Sequence, residues 1–118
     1  MPDKKTKCPL RYLLNTFGGK WKLPIICIIS QEPQRFATIK RRLGDITSAM
    51  LSKSLKELEA DELVKRTDFH EIVPHVEYSL TTKGKRVLPM LTTAAEWAVK
   101  EMGYENIQAY CAECNKYS

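Results

Sequence analysis

The chain has 118 residues, a length that predicts one domain, residues 1–118, whose core forms without disulfides or metals. Its apolar fraction is ordinary and its net charge is +5, which excludes a chain disordered throughout. The longest apolar run, residues 23–29, falls short of the ~20 residues that span a bilayer. No signal-peptide apolar stretch directly follows the basic arm 1–7. We therefore expect a cytoplasmic protein with no membrane partner.

The positive charge is concentrated in two segments. Residues 1–22 carry six basic side chains and one acidic one, and residues 34–56 carry the same numbers. Concentrated positive charge indicates a polyanion partner such as nucleic acid more strongly than a diffuse basic surface does. Charge alone leaves open that these side chains are merely solvated.

Two helices are predicted in the first quarter of the chain. Apolar residues at helical spacing favour a helix over residues 8–17, and Gly18 and Gly19 end it. A second, strongly apolar helix over residues 21–30 carries Pro24 in its first turn, where proline is tolerated.

The next two predicted helices form a helix-turn-helix motif over residues 36–61. A short helix over 36–43 is followed by Gly44, which suits the left-handed conformation that ends a helix. Thr47 or Asp45 can cap the helix that follows. A short helix, a glycine-containing turn and a second helix are typical of this motif. The buried stripe predicted for the second helix is Leu51, Leu55 and Leu58.

A β-hairpin, the wing, is predicted over residues 63–80. Its strands are residues 63–69 and the cleanly alternating 76–80, joined by a polar loop that contains a proline. A long helix over 82–103 follows, which Pro89 should bend, and residues 104–118 form a tail. The predicted fold is therefore mainly α with a small β-hairpin wing (α+β), a winged helix-turn-helix.

The second helix of the motif would bury its leucine stripe and present another face to the major groove. Small polar residues near its start allow close approach to base edges, and lysines can reach guanine or a phosphate. The competing interpretation is an ordinary amphipathic surface helix. The predicted base-reading residues are Ser48, Ala49, Ser52, Lys53 and Lys56.

Two further groups of side chains are predicted to contact DNA. The first group would hold phosphates, which supplies affinity and not sequence choice: Arg35, Lys40, Arg41, Arg42 and Thr47. The second group lies on the wing: Arg66, His70 and His75. The two histidines could equally be plain loop residues.

Several segments match a known family: Cys8-Pro9, Gly18-Gly19-Lys20-Trp21-Lys22, Arg35-Phe36, Ile46-Thr47-Ser48-Ala49-Met50-Leu51, Leu55-Lys56-Glu57-Leu58-Glu59, Val76-Glu77-Tyr78-Ser79-Leu80-Thr81, Gly84 and Trp97. On these segments the chain resembles the HxlR-type winged-helix regulators, relatives of the MarR group. The resemblance implies a homodimer that is held by the N-terminal and C-terminal helices and binds a palindromic operator in double-stranded DNA. The family contains repressors and activators, so the sign of regulation is not implied.

The resemblance also concerns a cysteine. Some members of the family sense electrophiles, oxidants or aldehydes through a cysteine near the N-terminus, and Cys8 stands at that position. A thiolate there would lie at a helix N-terminus, which stabilises negative charge. The alternative is a structural thiol in the dimer interface.

A second pair of cysteines, Cys111 and Cys114, departs from the common part of the family. A lone Cys-x-x-Cys is half a zinc site, and it could also be a redox pair or part of a bland tail. No metal site is assigned on this basis.

The sequence bears on three classes of function. A winged-helix protein-interaction module would carry an uncharged or acidic second helix, whereas this one carries Lys53 and Lys56. In a small thiol redox protein, Cys111 and Cys114 would be expected within a βαβ unit, whereas here they lie in the predicted C-terminal tail. No grouping of catalytic residues or phosphate loop is present, so we expect a DNA-binding regulator that is not an enzyme and needs no cofactor. Whether a small-molecule effector binds stays open.

Overall fold

The computed structural model describes residues 6–105. Within that range the chain forms six helices and a two-stranded antiparallel sheet, which agrees with the predicted winged helix-turn-helix. The elements in chain order are α1 (Pro9–Phe17), α2 (Lys22–Ile29), α3 (Phe36–Leu43), α4 (Ser48–Ala60), β1 (Val64–Asp68), β2 (Val76–Leu80), α5 (Thr82–Lys85) and α6 (Leu88–Glu101). In this described part, no helix is both long enough and apolar enough to cross a membrane.

Within residues 6–105 the chain divides into two compact units, one that ends at Lys85 and one that begins at Arg86. The boundary falls between α5 and α6, in the segment predicted as one bent helix over 82–103. Proline lacks an N–H and is tolerated only in the first turn of a helix. The helix is therefore interrupted at residues 86–87 and begins again with Leu88, immediately before Pro89.

The core of the first unit is formed mainly by aliphatic side chains of α2, α3 and α4. The predicted leucine stripe of α4 is confirmed, because its three members are almost fully buried. The largest fully buried side chains are Ile25, Ile26, Ile29, Ile39, Leu51, Leu55 and Leu58. Helices α2, α3 and α4 thus pack around one centre, and α1 reaches burial only at its end, at Thr16 and Phe17.

The turn between α3 and α4 combines a glycine with a side-chain cap. Gly44 has a φ of 83°, a conformation that favours glycine. The Thr47 hydroxyl oxygen accepts a hydrogen bond of 3.1 Å from the Met50 N–H, which satisfies a free donor at the start of α4. Between the two helices Ile46 is buried and anchors the turn to the core.

The wing strands β1 and β2 are antiparallel, with Val64 opposite Leu80 and Asp68 opposite Val76. Beyond the predicted hairpin, Gln34 pairs with Tyr78 through two backbone hydrogen bonds of 2.9 and 2.8 Å. This bridge joins the turn before α3 to β2, so the base of the wing is attached to the helix-turn-helix motif.

In the second unit, α6 buries Leu91 and Val99. It ends at Glu101, Met102 is its C-cap residue, and Gly103 follows with a φ of 98°. The N–H groups of Gly103 and Tyr104 donate to the carbonyl oxygens of Lys100 and Val99, at 3.1 and 3.0 Å. This pair of hydrogen bonds is the Schellman arrangement, in which a left-handed glycine satisfies the last carbonyls of a helix.

Candidate nucleic-acid interface

Helix α4 presents the predicted base-reading residues on a face away from the core. Ser48 and Ala49 in its first turn are exposed, and so are Lys53 and Lys56, while Ser52 is half-buried. The opposite face is the buried leucine stripe, joined by Ser54. Helix α4 therefore has the two faces that a recognition helix needs.

The predicted phosphate-binding residues lie on or beside the motif. Arg35 immediately precedes α3 and is exposed, as are Arg41 and Arg42 in the last turn of α3, whereas Lys40 is half-buried. Thr47 is exposed but its side-chain oxygen caps α4. The three arginines thus form the accessible basic side of the motif.

On the wing, Arg66 and His70 are exposed, whereas His75 is held by its neighbours. His75 Nε2 lies 2.6 Å from Glu77 Oε2, and Nδ1 lies 3.4 Å from Glu71 Oε1. Its ring also packs against Phe69, with 4.5 Å between the ring centroids. Since both ring nitrogens face carboxylates and the side chain is 18% exposed, the geometry favours a role for His75 in the structure of the wing.

Lys20 in the α1–α2 connection and Lys22, the first residue of α2, were not predicted as site residues. The Lys20 ammonium lies 4.7 Å from the centroid of the Trp21 ring and 3.9 Å from Asp45 Oδ2. Both lysines line a shallow cleft against α4, together with Gly18, Gly19, Trp21, Met50, Lys53, Ser54 and Glu57. The α1–α2 connection therefore borders the recognition helix.

The side chain of Lys22 is buried and forms an ion pair with α4. Its Nζ lies 2.7 Å from Glu57 Oε2 and donates to the Thr16 carbonyl oxygen at 3.4 Å. The hydrogen bond from Lys22 is the largest cause that lowers the pKa of Glu57, and partial burial opposes it. Lys53 adds a smaller attraction for the carboxylate. Only the position of Lys22 in the first turn of an apolar helix could have pointed to this pair.

The described cysteines differ in their surroundings. Cys8 is exposed and occupies the N-cap position of α1. Cys27 is also exposed, but partial burial of its thiol raises the pKa of that thiol by desolvation. Cys111 and Cys114 lie outside the described residues. Among residues 6–105, no group of three or more His, Cys, Asp and Glu side chains is arranged to hold a metal ion.

Comparison with known proteins identifies relatives along most of the chain. The model of the HxlR-like helix-turn-helix family matches residues 16–106. An uncharacterized HTH-type transcriptional regulator of Halalkalibacterium halodurans is 50% identical over 93 residues, which cover 78% of this chain and 82% of the relative. A second uncharacterized HTH-type transcriptional regulator, from Methanothermobacter thermautotrophicus, is 41% identical over 97 residues, which cover 82% of this chain and 74% of the relative.

Solved structures agree with this grouping. A MarR-family transcriptional regulator of Porphyromonas gingivalis superposes with a TM-score of 0.76 at 37% identity, covering 80% of this chain and 93% of that one. The reduced form of the redox regulator HypR superposes with a TM-score of 0.78 at 35% identity, covering 81% of this chain and 95% of that one. The oxidised form of HypR superposes with a TM-score of 0.75 at 38% sequence identity, covering 79% of this chain and 96% of that one. The chain belongs to the HxlR-like helix-turn-helix family, whose members are transcriptional regulators and not enzymes.

Proposed function

We propose that this regulator is a cytoplasmic homodimer that binds a palindromic operator in double-stranded DNA with α4 in the major groove. The observation that carries the proposal is the exposed face of α4. There Ser48, Ala49 and Lys53 are exposed, and so are Arg41 and Arg42 in the last turn of α3, the helix that precedes α4 in the motif. Small side chains and a lysine at the start of a helix suit contact with base edges.

The side chains fall into three roles within this proposal. Residues of α4 read bases: Ser48, Ala49, Ser52, Lys53 and Lys56. Basic residues of α3 and its start hold phosphates: Arg35, Lys40, Arg41 and Arg42. Arg66 and His70 on the wing supply contacts beside the motif, while Thr47 caps α4 and His75 supports the wing.

Dimerisation is supported by apolar side chains that each unit exposes. In α1, Leu10 and Leu14 are one helical turn apart and are 70% and 67% exposed. Trp97 in α6 is 69% exposed, and Met102, the C-cap residue of α6, is 61% exposed. Contiguous exposed apolar surface commonly marks a protein interface, and a two-fold dimer suits a palindromic operator.

We also propose that Cys8 makes operator binding responsive to oxidants or electrophiles. Both described cysteines are exposed, so reagents can reach them, but desolvation raises the pKa of the Cys27 thiol and so disfavours its reactive thiolate form. A similar protein is named a redox regulator in both its oxidised and its reduced form. Cys111 and Cys114 stay candidates for a redox or metal pair.

The test is binding to a duplex that the wild-type protein selects from a random library, measured by fluorescence anisotropy and size-exclusion chromatography. We expect a dimer that prefers the selected duplex to a scrambled one. Treatment with diamide should change its affinity by about fivefold or more, the lower end of typical coupling. Cys8→Ser should abolish the response, and the matched variant Cys27→Ser should retain it. A Cys8→Ser protein that responds like the wild type contradicts the sensing role.

A further inference from the structure

We propose that Lys22 is a positioning residue that ties the end of α1 to the recognition helix and so sets where α4 meets the base edges. This inference rests on the DNA binding proposed above. Lys22 belongs to α2, yet its ammonium group contacts the carboxylate of Glu57 in α4 and the Thr16 carbonyl oxygen in α1. One side chain therefore connects three helices.

The burial of Lys22 indicates that its contact with Glu57 serves a purpose other than stability. Its side chain is 10% exposed, whereas that of Glu57 is 42% exposed. Moving a charge out of water is costly, and a well-packed apolar side chain of similar volume is often as stabilising as a buried ion pair. Stability alone therefore does not account for a lysine at this position.

Geometry offers the better explanation. An apolar contact tolerates sliding between helices, whereas the 2.7 Å separation of Lys22 Nζ and Glu57 Oε2 fixes one point of α4 against α2. In some proteins, buried charged groups favour one packing arrangement of the helices over others. Here the fixed point is a carboxylate directly after Lys56 and one helical turn beyond Lys53. The tie thus acts on the turn of α4 that carries the base-reading lysines.

The role can be separated from a phosphate contact and from a purely structural role. A residue that holds a phosphate weakens binding to all sequences and, when removed, reduces the salt slope by about 1. A residue that only stabilises the fold lowers the active fraction equally for every duplex. A positioning residue instead changes the ratio of affinities for two duplexes while the salt slope stays the same.

The experiment uses reduced, full-length protein with the selected and scrambled duplexes described above. We expect Lys22→Met to lose about tenfold in affinity for the selected duplex and less than about twofold for the scrambled one, with an unchanged salt slope. Lys22→Arg, which keeps the charge, should retain most of the discrimination. The matched control Lys85→Met removes an exposed lysine outside the proposed interface and should leave the ratio unchanged.

Equal losses on both duplexes, or a smaller salt slope, would overturn the proposal. If circular dichroism shows that Lys22→Met does not fold, Glu57→Gln is judged by the same ratio, because it keeps the lysine and weakens only the contact. A wild-type protein that selects no duplex contradicts the proposed function and this inference together. If Lys22→Met discriminates between the selected and scrambled duplexes as the wild type does, the positioning role of Lys22 is contradicted and the proposed DNA binding is not.

Discussion

The Thr47 hydroxyl oxygen accepts a hydrogen bond from the Met50 N–H, so the recognition helix begins on a threonine cap. Asp45, the other cap candidate in the sequence, instead lies 3.9 Å from Lys20 Nζ. We expect Thr47→Ala to lower the free energy of unfolding by about 1 kcal/mol, since it removes the cap. Urea denaturation measures the change. Thr47→Ser should retain most of the stability that Thr47→Ala loses. Asp45→Ala should lower the free energy of unfolding clearly less than Thr47→Ala does, and a larger effect of Asp45→Ala would contradict the assignment of Thr47 as the cap.

Removal of either partner of the Lys22–Glu57 pair should have unequal effects. Glu57→Ala leaves a nearly buried ammonium group with the Thr16 carbonyl oxygen as its described partner. We expect a cost of about 1–3 kcal/mol, below that of a fully buried pair because Glu57 is partly exposed. Lys22→Met leaves a carboxylate that water can reach, so its unfolding free energy should stay within about 1 kcal/mol of the wild type. Thermal and urea unfolding of both variants would compare them, and equal losses would contradict this account.

The same pair predicts a dependence of stability on acid. Lys22 lowers the pKa of Glu57 in the folded protein, whereas an unfolded glutamate has a pKa of ~4.3. The contribution of Glu57 is therefore fully present above the unfolded pKa and is lost as the pH falls through the lower folded pKa. We expect urea denaturation between pH 6 and pH 3 to show this loss in the wild type. The Lys22→Met curve should show a smaller loss, because only the weaker attraction of Lys53 for the carboxylate remains, and parallel curves for the two proteins would argue against this account.

The ring of His75 is expected to order the tip of the wing. His75→Ala removes the contacts to Glu71 and Glu77 and the packing against Phe69. Because these contacts lie far from the main core, the change should be local, with little effect on the melting temperature. Hydrogen exchange should become faster in residues 69–75 and stay the same in α4. The matched variant His70→Ala, at an exposed position, should leave exchange at the tip nearly unchanged.

Local pattern in the sequence was enough for most of the first unit. The leucine stripe of α4, the glycine turn at Gly44 and the alternating β2 depend on residues a few positions apart, so periodicity finds them. The pairing of Gln34 with Tyr78 and the contact of Lys22 with Glu57 join distant segments, and no local period encodes them. The segment predicted as one bent helix over 82–103 is divided into α5 and α6, because the spacing of its apolar residues does not reveal the interruption ahead of Pro89.

The bridge between Gln34 and Tyr78 separates the wing into an anchored base and a tip whose length is free to change. Residues added between the strands would leave the register at the base intact, since that register is set by β1 on one side and by Gln34 on the other. If the wing contacts DNA as proposed, insertions or deletions over residues 70–74 should alter how far the wing extends along a duplex while the position of α4 stays the same.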